Sequence, residues 1–431
     1  MEVIVNIFDK KVGTLYEHEG VIRFEYEQSF LDTNLNLSPL KLPFTRETYI
    51  NNDEKYFQTL AGVFFDSLPD KFGTKVMQLY YESKGRFAYD LTVLQKLIYI
   101  GNTGMGALEY EPSETFSDTF ESIEPLKIRD LYESTRKIVK GEEKQTIKEI
   151  WTLMGSSIQA GGARPKATVG WNREKNIITN ARVKDNDYEQ WLVKFDSVDD
   201  NNTPTDFTKL EYVYMSMAKE CGINIPEIDL IKDNNLNHFA IKRFDRDGSS
   251  KIHMHSLASM VHVDFNEPLH YSYDEAMRVV RFITKDVRAV EEFYKRAVFN
   301  VLARNQDDHA KNTSFLMNKQ GEWSLSPAYD ITYANGNHYT KNHQMSIVGK
   351  VNNFVREDLI TLGINAGIKK SKVEEIIDHA VEVILSFLQR AIDIKIRQDL
   401  IELVWKDLDE RLQSISDIAR ECKKNCVNLK N

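Results

Sequence analysis

Near residue 250 the hydrophobic periodicity of this chain changes, and that change restricts the fold more than any other feature of its 431 residues. Upstream, from about 150 to 245, apolar residues fall in short runs such as "WLVKF" and "HFAIKRF". One helical pattern, "TDFTKLEYVYMSMAKECGI", lies among them, with a capping residue at Thr205 or Asp206 and a stop at Gly222. Downstream, from about 250 to 431, apolar residues recur at helical spacing, as in "KVEEIIDHAVEVILSFLQRAI", except over residues 313 to 350. A period of two suits half-buried strands, and a period between three and four suits helices with one apolar stripe. The pattern therefore predicts an α+β chain with a strand-rich lobe followed by a helical lobe. The first hundred residues add the strand-like runs "VIVNIF" and "VIRFEYE", in which Val3, Val5 and Ile7 oppose Ile4 and Asn6, with "DKKVG" as a turn between them. "YFQTLAGVFFDSLPDKFGTKVMQLYY" follows as a helical pattern interrupted near Pro69. Residues 111 to 125, "EPSETFSDTFESIEP", are acidic without a Lys or Arg and suit a solvated connector. Three segments result: a small β-rich domain over 1–112, a lobe with a Gly-rich loop over 113–248, and an all-helical lobe over 249–431.

Charge and cysteine content exclude several classes. Lys and Arg total 56 against 65 Asp and Glu, and a net charge of -9 opposes holding nucleic acid by bulk electrostatics. No run approaches the roughly 18 apolar residues of a membrane span. The opening "MEVIVNIFDKK" has an acid where an export signal has a basic start. Cys221, Cys422 and Cys426 are too few and too odd in number for a disulfide framework, which suits a reducing cytoplasm. Cys422 and Cys426 lack the second ligand pair of a zinc module, and His253 and His255 in "HMH" read as packing or surface. No Gly-x-Ser-x-Gly elbow or His-Glu-x-x-His motif occurs.

Residues 305 to 315, "NQDDHAKNTSF", carry the strongest chemical pattern. Phosphoryl transfer to a hydroxyl needs a carboxylate to orient or deprotonate the nucleophile, oxygen ligands for Mg2+, and a cation on the phosphates. In protein kinases a catalytic Asp precedes a metal-binding Asn by five positions, the interval from Asp307 to Asn312. Asp308 is one residue too close. "TSFLMNKQGEWSLSPAYDIT" then supplies strand, turn, strand and Asp330, at the place of a second metal-binding Asp. His309 either takes part in the chemistry or supports the loop by hydrogen bonding. Lys311 either neutralises phosphate or faces solvent.

"GSSIQAGGARPKA" offers Gly161 and Gly162, which let backbone amides approach an anion. It is not a Walker A sequence, because no Gly-Lys-Ser/Thr follows at the required spacing. The competing loop "GNTGMG" lacks a basic partner and a following helix, and reads as a structural turn. Lys194 in "WLVKF" is the best phosphate cation, projecting from one strand face while Val193 and Phe195 fill the other; the simpler reading is a strand-edge Lys that reaches water. Glu211 on the following helix could pair with it. "IKRFDR" would then supply backbone from Lys242 and Phe244 for an adenine and the Asp245 carboxylate for a ribose hydroxyl.

In order, "SSIQAGGARPKA", "WLVKF", "KRFDR", "DDHAKN" and "PAYDIT" resemble the HipA serine/threonine kinase toxins of bacterial type II toxin–antitoxin systems. "FFDSLPDKFG" and "GNTGMGALEYEP" extend the resemblance to the N-terminal part. It implies a kinase-like α+β fold, ATP and Mg2+ as cofactors, Asp307 as catalytic base, Asn312 and Asp330 as metal ligands and Lys194 on the phosphates. It further implies that Gly161, Gly162 and Ala163 cover the γ-phosphate, and that autophosphorylation of a serine before that loop, Ser157 or its neighbour Ser156, inactivates the enzyme. A cytoplasmic bacterial protein is implied, with a translation component as target, typically an aminoacyl-tRNA synthetase. A small helix-turn-helix antitoxin of the HipB type is the implied partner, and contacts with operator DNA would come mainly from it.

Two rivals stand beside this reading. The first is a small-molecule or lipid kinase, since phosphoinositide kinases also use an Asp-x-His-x-x-Asn loop, yet a chain of net charge -9 without a basic helix is poorly suited to anionic vesicles. An idle antitoxin-binding co-repressor is opposed by the joint presence of Lys194, Asp307, Asn312 and Asp330.

Overall fold

The computed structural model describes residues 1–53, 55–86, 91–113, 125–141, 165–181, 185, 187–267, 270–336 and 338–416. The chain forms two compact units. The first comprises Met1–Phe195, Ile231–His262 and Phe315–Trp323; the second comprises Asp196–Leu230, Val263–Ser314 and Ser324–Asn431. Residues 196–230 thus fall with the helical part, unlike in the linear division drawn from periodicity. The reason is local: Arg397 Nη1 donates to Asp199 at 3.0 Å, and Lys209 Nζ donates to the Lys395 carbonyl at 2.8 Å.

The first unit opens with an antiparallel sheet in the order Tyr49–Ile50, Val21–Tyr26, Lys10–His18, Glu2–Ile7, Leu108–Glu111. Val3, Val5 and Ile7 are fully buried, as the alternation requires. The turn after the first strand is tighter than the sequence suggested. Phe8 and Asp9 both take positive φ, and "KKVG" already belongs to the strand Lys10–His18, which periodicity had missed. That strand carries Gly13, where a Cβ would lie 2.1 Å from the Glu25 carbonyl oxygen, so cross-strand approach and not side-chain alternation sets this position.

Pro69 does separate two helices, Gly62–Phe65 and Lys71–Ser83, and Asp70 caps the second through a bond from Gly73 N at 2.6 Å. Asp66 accepts from His255 Nδ1 at 2.8 Å and from the Ser256 amide, Ser256 Oγ and Ser259 Oγ at 2.7, 2.7 and 2.8 Å. His253 and His255 are both fully buried, so "HMH" is a packing element. A second sheet runs Ile177–Asn180, Lys166–Asn172, Glu189–Lys194, Leu236–Lys242, Ile228–Asp233.

The second unit is mainly helical. Helix Phe207–Glu220 begins after Asp206, which takes φ of 59° and spends its carboxylate on Lys209 Nζ and the Arg397 amide, not on capping. Helix Tyr273–Thr284 starts at a capping box formed by Ser272 and Glu275. Helix Val287–Leu302 buries Phe293, Tyr294, Val298 and Phe299. It packs beside Arg356–Asn365 and Lys370–Leu385, where a Cβ on Gly363 would lie 2.4 Å from Val373 and 3.0 Å from the Tyr294 ring. Phe387–Asp393 and Gln398–Ile415 complete the helices described here. The buried face of Val287–Leu302 delivers the chain into residues 303–314.

Candidate active site

Helix Val287–Leu302 ends at Ala303, and Arg304 turns the chain with φ of 55°. The Asn305 amide donates back to the Asn300 carbonyl at 3.0 Å. The emerging strand is then zipped to residues 331–336: the Ala334 amide donates to Arg304 O at 3.1 Å, and the Gln306 amide donates to Ala334 O at 3.0 Å. A second tie lies seven residues on, where Tyr329 Oη donates to the Lys311 carbonyl at 2.8 Å and sits 2.6 Å from Ser314 Oγ. These ties bracket Asp307 and Asn312 on one segment and Asp330 on the other. Asp330 takes φ of 58°, a left-handed conformation that Asp tolerates better than most residues and that recurs at functional sites.

The two adjacent acids have opposite surroundings. The Asp307 side chain is 44% exposed, whereas that of Asp308 is 0% exposed. Asp308 accepts from Tyr273 Oη at 2.8 Å, His343 Nδ1 at 2.7 Å and the Gln344 amide at 2.7 Å. Asn312 Nδ2 donates to the Asp307 carbonyl at 2.9 Å, which fixes the carboxamide and turns its oxygen away from the loop backbone. His309 Nε2 lies 3.6 Å from Asp307 Oδ1, and the His309 ring packs 4.7 Å from that of Phe265. Burial pushes the His309 pKa below its ordinary value against the pull of the Asp307 and Asp330 carboxylates, so the imidazole is neutral near pH 7. Lys311 Nζ stands 5.2 Å over the Phe265 ring.

This donor set suits a hard cation. Asp330 and Asn312 offer a carboxylate and a carboxamide oxygen, and among the described residues no group of three or more His, Cys, Asp or Glu could hold a metal. Mg2+ commonly takes one or two protein oxygens and completes its shell with phosphate and water, so the pair fits that ion and not a self-sufficient protein cage.

The first unit holds the other residues singled out by sequence. Lys194 ends the strand Glu189–Lys194, is 7% exposed, and places Nζ 6.0 Å from the Phe239 ring centroid. Its cross-strand neighbour is Lys166, whose Nζ lies 3.0 Å from Asp70 Oδ2. Lys242 forms an ion pair with Glu189, and Phe244 is half-buried. Glu211 is buried on helix Phe207–Glu220 of the second unit. Gly161, Gly162, Ala163, Ser156 and Ser157 lie outside the described residues.

Asp245 is a correction. The position suggested a ribose ligand, but the carboxylate is fully buried and its oxygens are occupied: Oδ1 accepts from Arg243 Nε at 2.9 Å, and Oδ2 accepts from Arg243 Nη2, Arg246 Nη1 and the Gly106 amide at 2.7, 2.7 and 2.8 Å. Burial alone would raise its pKa, but the two guanidinium groups and the amide hold it well below the carboxylate range. Arg246 also donates to the carbonyls of Gly104 and Gly106, at 2.9 and 3.0 Å. The "GNTGMG" loop is thus a structural turn, fastened by the same charges.

Sequence reasoning missed Tyr273, His343 and Tyr329. The first two reach Asp308 across 35 residues on either side and leave no local signal. Tyr329 stands next to Asp330, so its place could have been noticed.

Comparison with known proteins follows the same outline. Residues 3–111 match the HipA N-terminal domain and residues 158–387 match the HipA-like C-terminal domain. The serine/threonine-protein kinase toxin HipA of Shewanella oneidensis is 25% identical over 142 residues, 28% of this chain and 33% of that protein. Proteins of Sinorhizobium fredii and Haemophilus influenzae are each 28% identical, over 33% and 28% of this chain and 36% and 39% of their own lengths. The chain thus spans little more than a third of the length of the curated relatives it matches. A chain from the solved complex of the S. oneidensis toxin–antitoxin system, HipA with HipB and operator DNA, superposes with a TM-score of 0.68 at 16% identity, covering 96% of both chains, and shares the α+β fold. Because the C-terminal match alone takes in more than half of the residues and the N-terminal match nearly all of the preceding domain, this chain belongs to the HipA family.

Proposed function

We propose that this chain is a serine/threonine protein kinase toxin that transfers the γ-phosphoryl group of ATP to a hydroxyl of a translation component, an aminoacyl-tRNA synthetase by family resemblance, and so arrests the growth of the bacterium in whose cytoplasm it acts. One observation carries the reading. In a loop with the kinase interval from Asp307 to Asn312, the acid at the catalytic position is half exposed while its neighbour is sealed, and Asp330 is tied alongside.

Asp307 takes the proton of the incoming hydroxyl as its oxygen bonds to phosphorus and the bond to the β-phosphate oxygen breaks. Burial keeps the imidazole of His309 neutral, with Nε2 3.6 Å from the Asp307 carboxylate. Asn312 and Asp330 hold Mg2+, which when bound neutralises phosphate charge. Lys194 meets the phosphates, the backbone of Lys242 and Phe244 meets the adenine, and Gly161, Gly162 and Ala163 cover the γ-phosphate. Asp245 has no part in nucleotide binding. Phosphorylation of Ser157, or of Ser156, switches the enzyme off. A HipB-like helix-turn-helix antitoxin is the partner and brings operator DNA, in keeping with the HipA–HipB–DNA assembly from which the S. oneidensis neighbour comes.

The test is peptide mapping by mass spectrometry after incubation with Mg2+ and ATP, with Asp307→Asn prepared identically. Phosphate on Ser157 or Ser156 in the parent chain and not in the variant supports the reading. An unmodified parent that also fails to bind ATP overturns it.

A further inference from the structure

The sealed acid of the loop has no part in the chemistry described so far, yet its carboxylate accepts three hydrogen bonds. Asp308 joins three segments. Tyr273, at the start of helix Tyr273–Thr284, donates its hydroxyl to Oδ2 and accepts from Asn300 Nδ2 at 2.9 Å, which links the acid to helix Val287–Leu302. Asn305, just before the acids, donates from Nδ2 to Asn300 Oδ1 at 2.9 Å and so closes the circuit. On the other side, His343 Nδ1 and the Gln344 amide donate to Asp308, and their segment is fastened to the helix start where the Tyr273 amide donates to Ser346 O at 2.9 Å.

Three donors converge on one carboxylate, and a carboxamide could not accept all three without turning an N–H toward one of them. Because Asp308 accepts, His343 carries its proton on Nδ1. Its Nε2 is buried with no hydrogen-bond partner among the described residues, and the ring stands 5.2 Å from that of Phe354. The imidazole is thereby committed to a single polar task.

Such a construction exceeds what a solvated turn needs. We propose that Asp308, with Tyr273 and His343, is a positioning unit that fixes the peptide carrying Asp307, so that the neighbouring carboxylate meets the acceptor hydroxyl in one orientation. The proposal rests on the kinase reading and assigns Asp308 no contact with substrate. It predicts a loss in the transfer step that is not shared by nucleotide binding, because the network touches the segment that presents the base and not a phosphate ligand.

Three variants test it: Tyr273→Phe, which removes one donor and keeps the ring; His343→Asn, which keeps an N–H donor at the Nδ1 position; and His343→Ala, which removes it. Transfer is read as radiolabelled phosphate incorporated from ATP into the chain, Mg·ATP affinity by calorimetry, and loop order by amide hydrogen exchange. Misplacing a catalytic group costs about ten-fold to a hundred-fold in rate, so Tyr273→Phe and His343→Ala should transfer more slowly by that factor with Mg·ATP affinity within about two-fold. His343→Asn should recover much of the rate, and faster exchange should be confined to residues 305–314. Equal losses in rate and affinity, an unchanged rate with lowered stability, or His343→Asn no better than His343→Ala would each overturn the positioning role. Asp307→Asn run in parallel separates the two claims. If it stays as active as the parent, the kinase reading loses its base; if it is inactive while Tyr273→Phe is fully active, only the positioning unit falls.

Discussion

Asp245 in the first unit and Asp307 in the second stand in similar-looking charged stretches, "KRFDR" and "QDDHAKN", and the structure uses them in opposite ways. Asp245 is surrounded by donors: two guanidinium groups and one backbone amide consume its lone pairs in a site closed to water. Asp307 keeps nearly half of its side chain exposed, with a neutral imidazole beside it. Position within a motif does not decide whether a carboxylate does chemistry. The two differ in exposure, and in the second unit the sealed carboxylate is that of Asp308, one residue away, which accepts from Tyr273, His343 and the Gln344 amide.

The largest effect that could break this contrast comes from Asp245→Ala. Arg243 and Arg246 are almost wholly buried, with side chains 4% and 11% exposed, and the substitution leaves both guanidinium groups without their shared carboxylate. Removing one partner from a buried charge cluster costs roughly 3–5 kcal/mol. Denaturant unfolding should show that loss, and Mg·ATP affinity measured well below the transition should be unchanged. A chain of normal stability that binds nucleotide poorly would restore Asp245 to the ribose and erase the distinction.

Asp307→Asn is the converse. A half-exposed acid contributes little to stability, whereas loss of a general base lowers a transfer rate by about a hundred-fold to ten-thousand-fold. Unfolding within about 0.5 kcal/mol of the parent, together with phosphate incorporation reduced to near background, is the expected pair of results. Asp330→Ala should weaken Mg·ATP binding itself, which separates the proposed metal ligand from the proposed base.

How much of this could be read from the sequence depends on where each residue finds its partners. The interval from Asp307 to Asn312, the hairpin and Asp330 were legible because chain connectivity alone sets them. The burial of Asp308 was not, since its donors Tyr273 and His343 come from 35 residues away in each direction. Asp245 was misread although its two arginines lie within two residues of it; what the sequence hid was Gly106, 139 residues upstream, which closes the site. The strand Lys10–His18 was passed over because Gly13 and the exposed lysines interrupt its alternation, and the close approach of Glu25 that explains the glycine is a tertiary fact. Of the two readings left open for "HMH", packing or surface, the full burial of His253 and His255 selects packing.

Acid titration sharpens the comparison between the units. His238 in the first unit is fully buried, and burial carries its pKa down to about 4, with Asp233 pulling in the opposite direction. The unfolded chain binds this proton near the ordinary value of 6.5 and the folded chain does not, so the stability is whole above about 6.5 and falls as pH drops toward 4. The shift corresponds to roughly 3 kcal/mol. His238→Gln should flatten the decline in denaturant stability over that window. A slope as steep as in the parent would assign the acid sensitivity to other groups, His253 and His262 first, whose values burial also lowers, to about 3 and about 4.

The smallest expected effect tests the backbone role left to the "IKRFDR" segment. Lys242 pairs with Glu189 through side chains 39% and 38% exposed, and exposed ion pairs are worth about 0–1 kcal/mol. Its strand is held by main-chain pairing of Lys242 with Trp191 and by the bond from the Arg243 amide to Gln190 O at 2.8 Å, neither of which involves the lysine side chain. Lys242→Ala should therefore leave both stability and Mg·ATP affinity close to those of the parent, within about 1 kcal/mol and two-fold. A ten-fold loss of affinity would mean that the ammonium group itself reaches the nucleotide. The first unit would then hold its ligand through a side chain at this point, and the segment around Asp245 would no longer be purely structural.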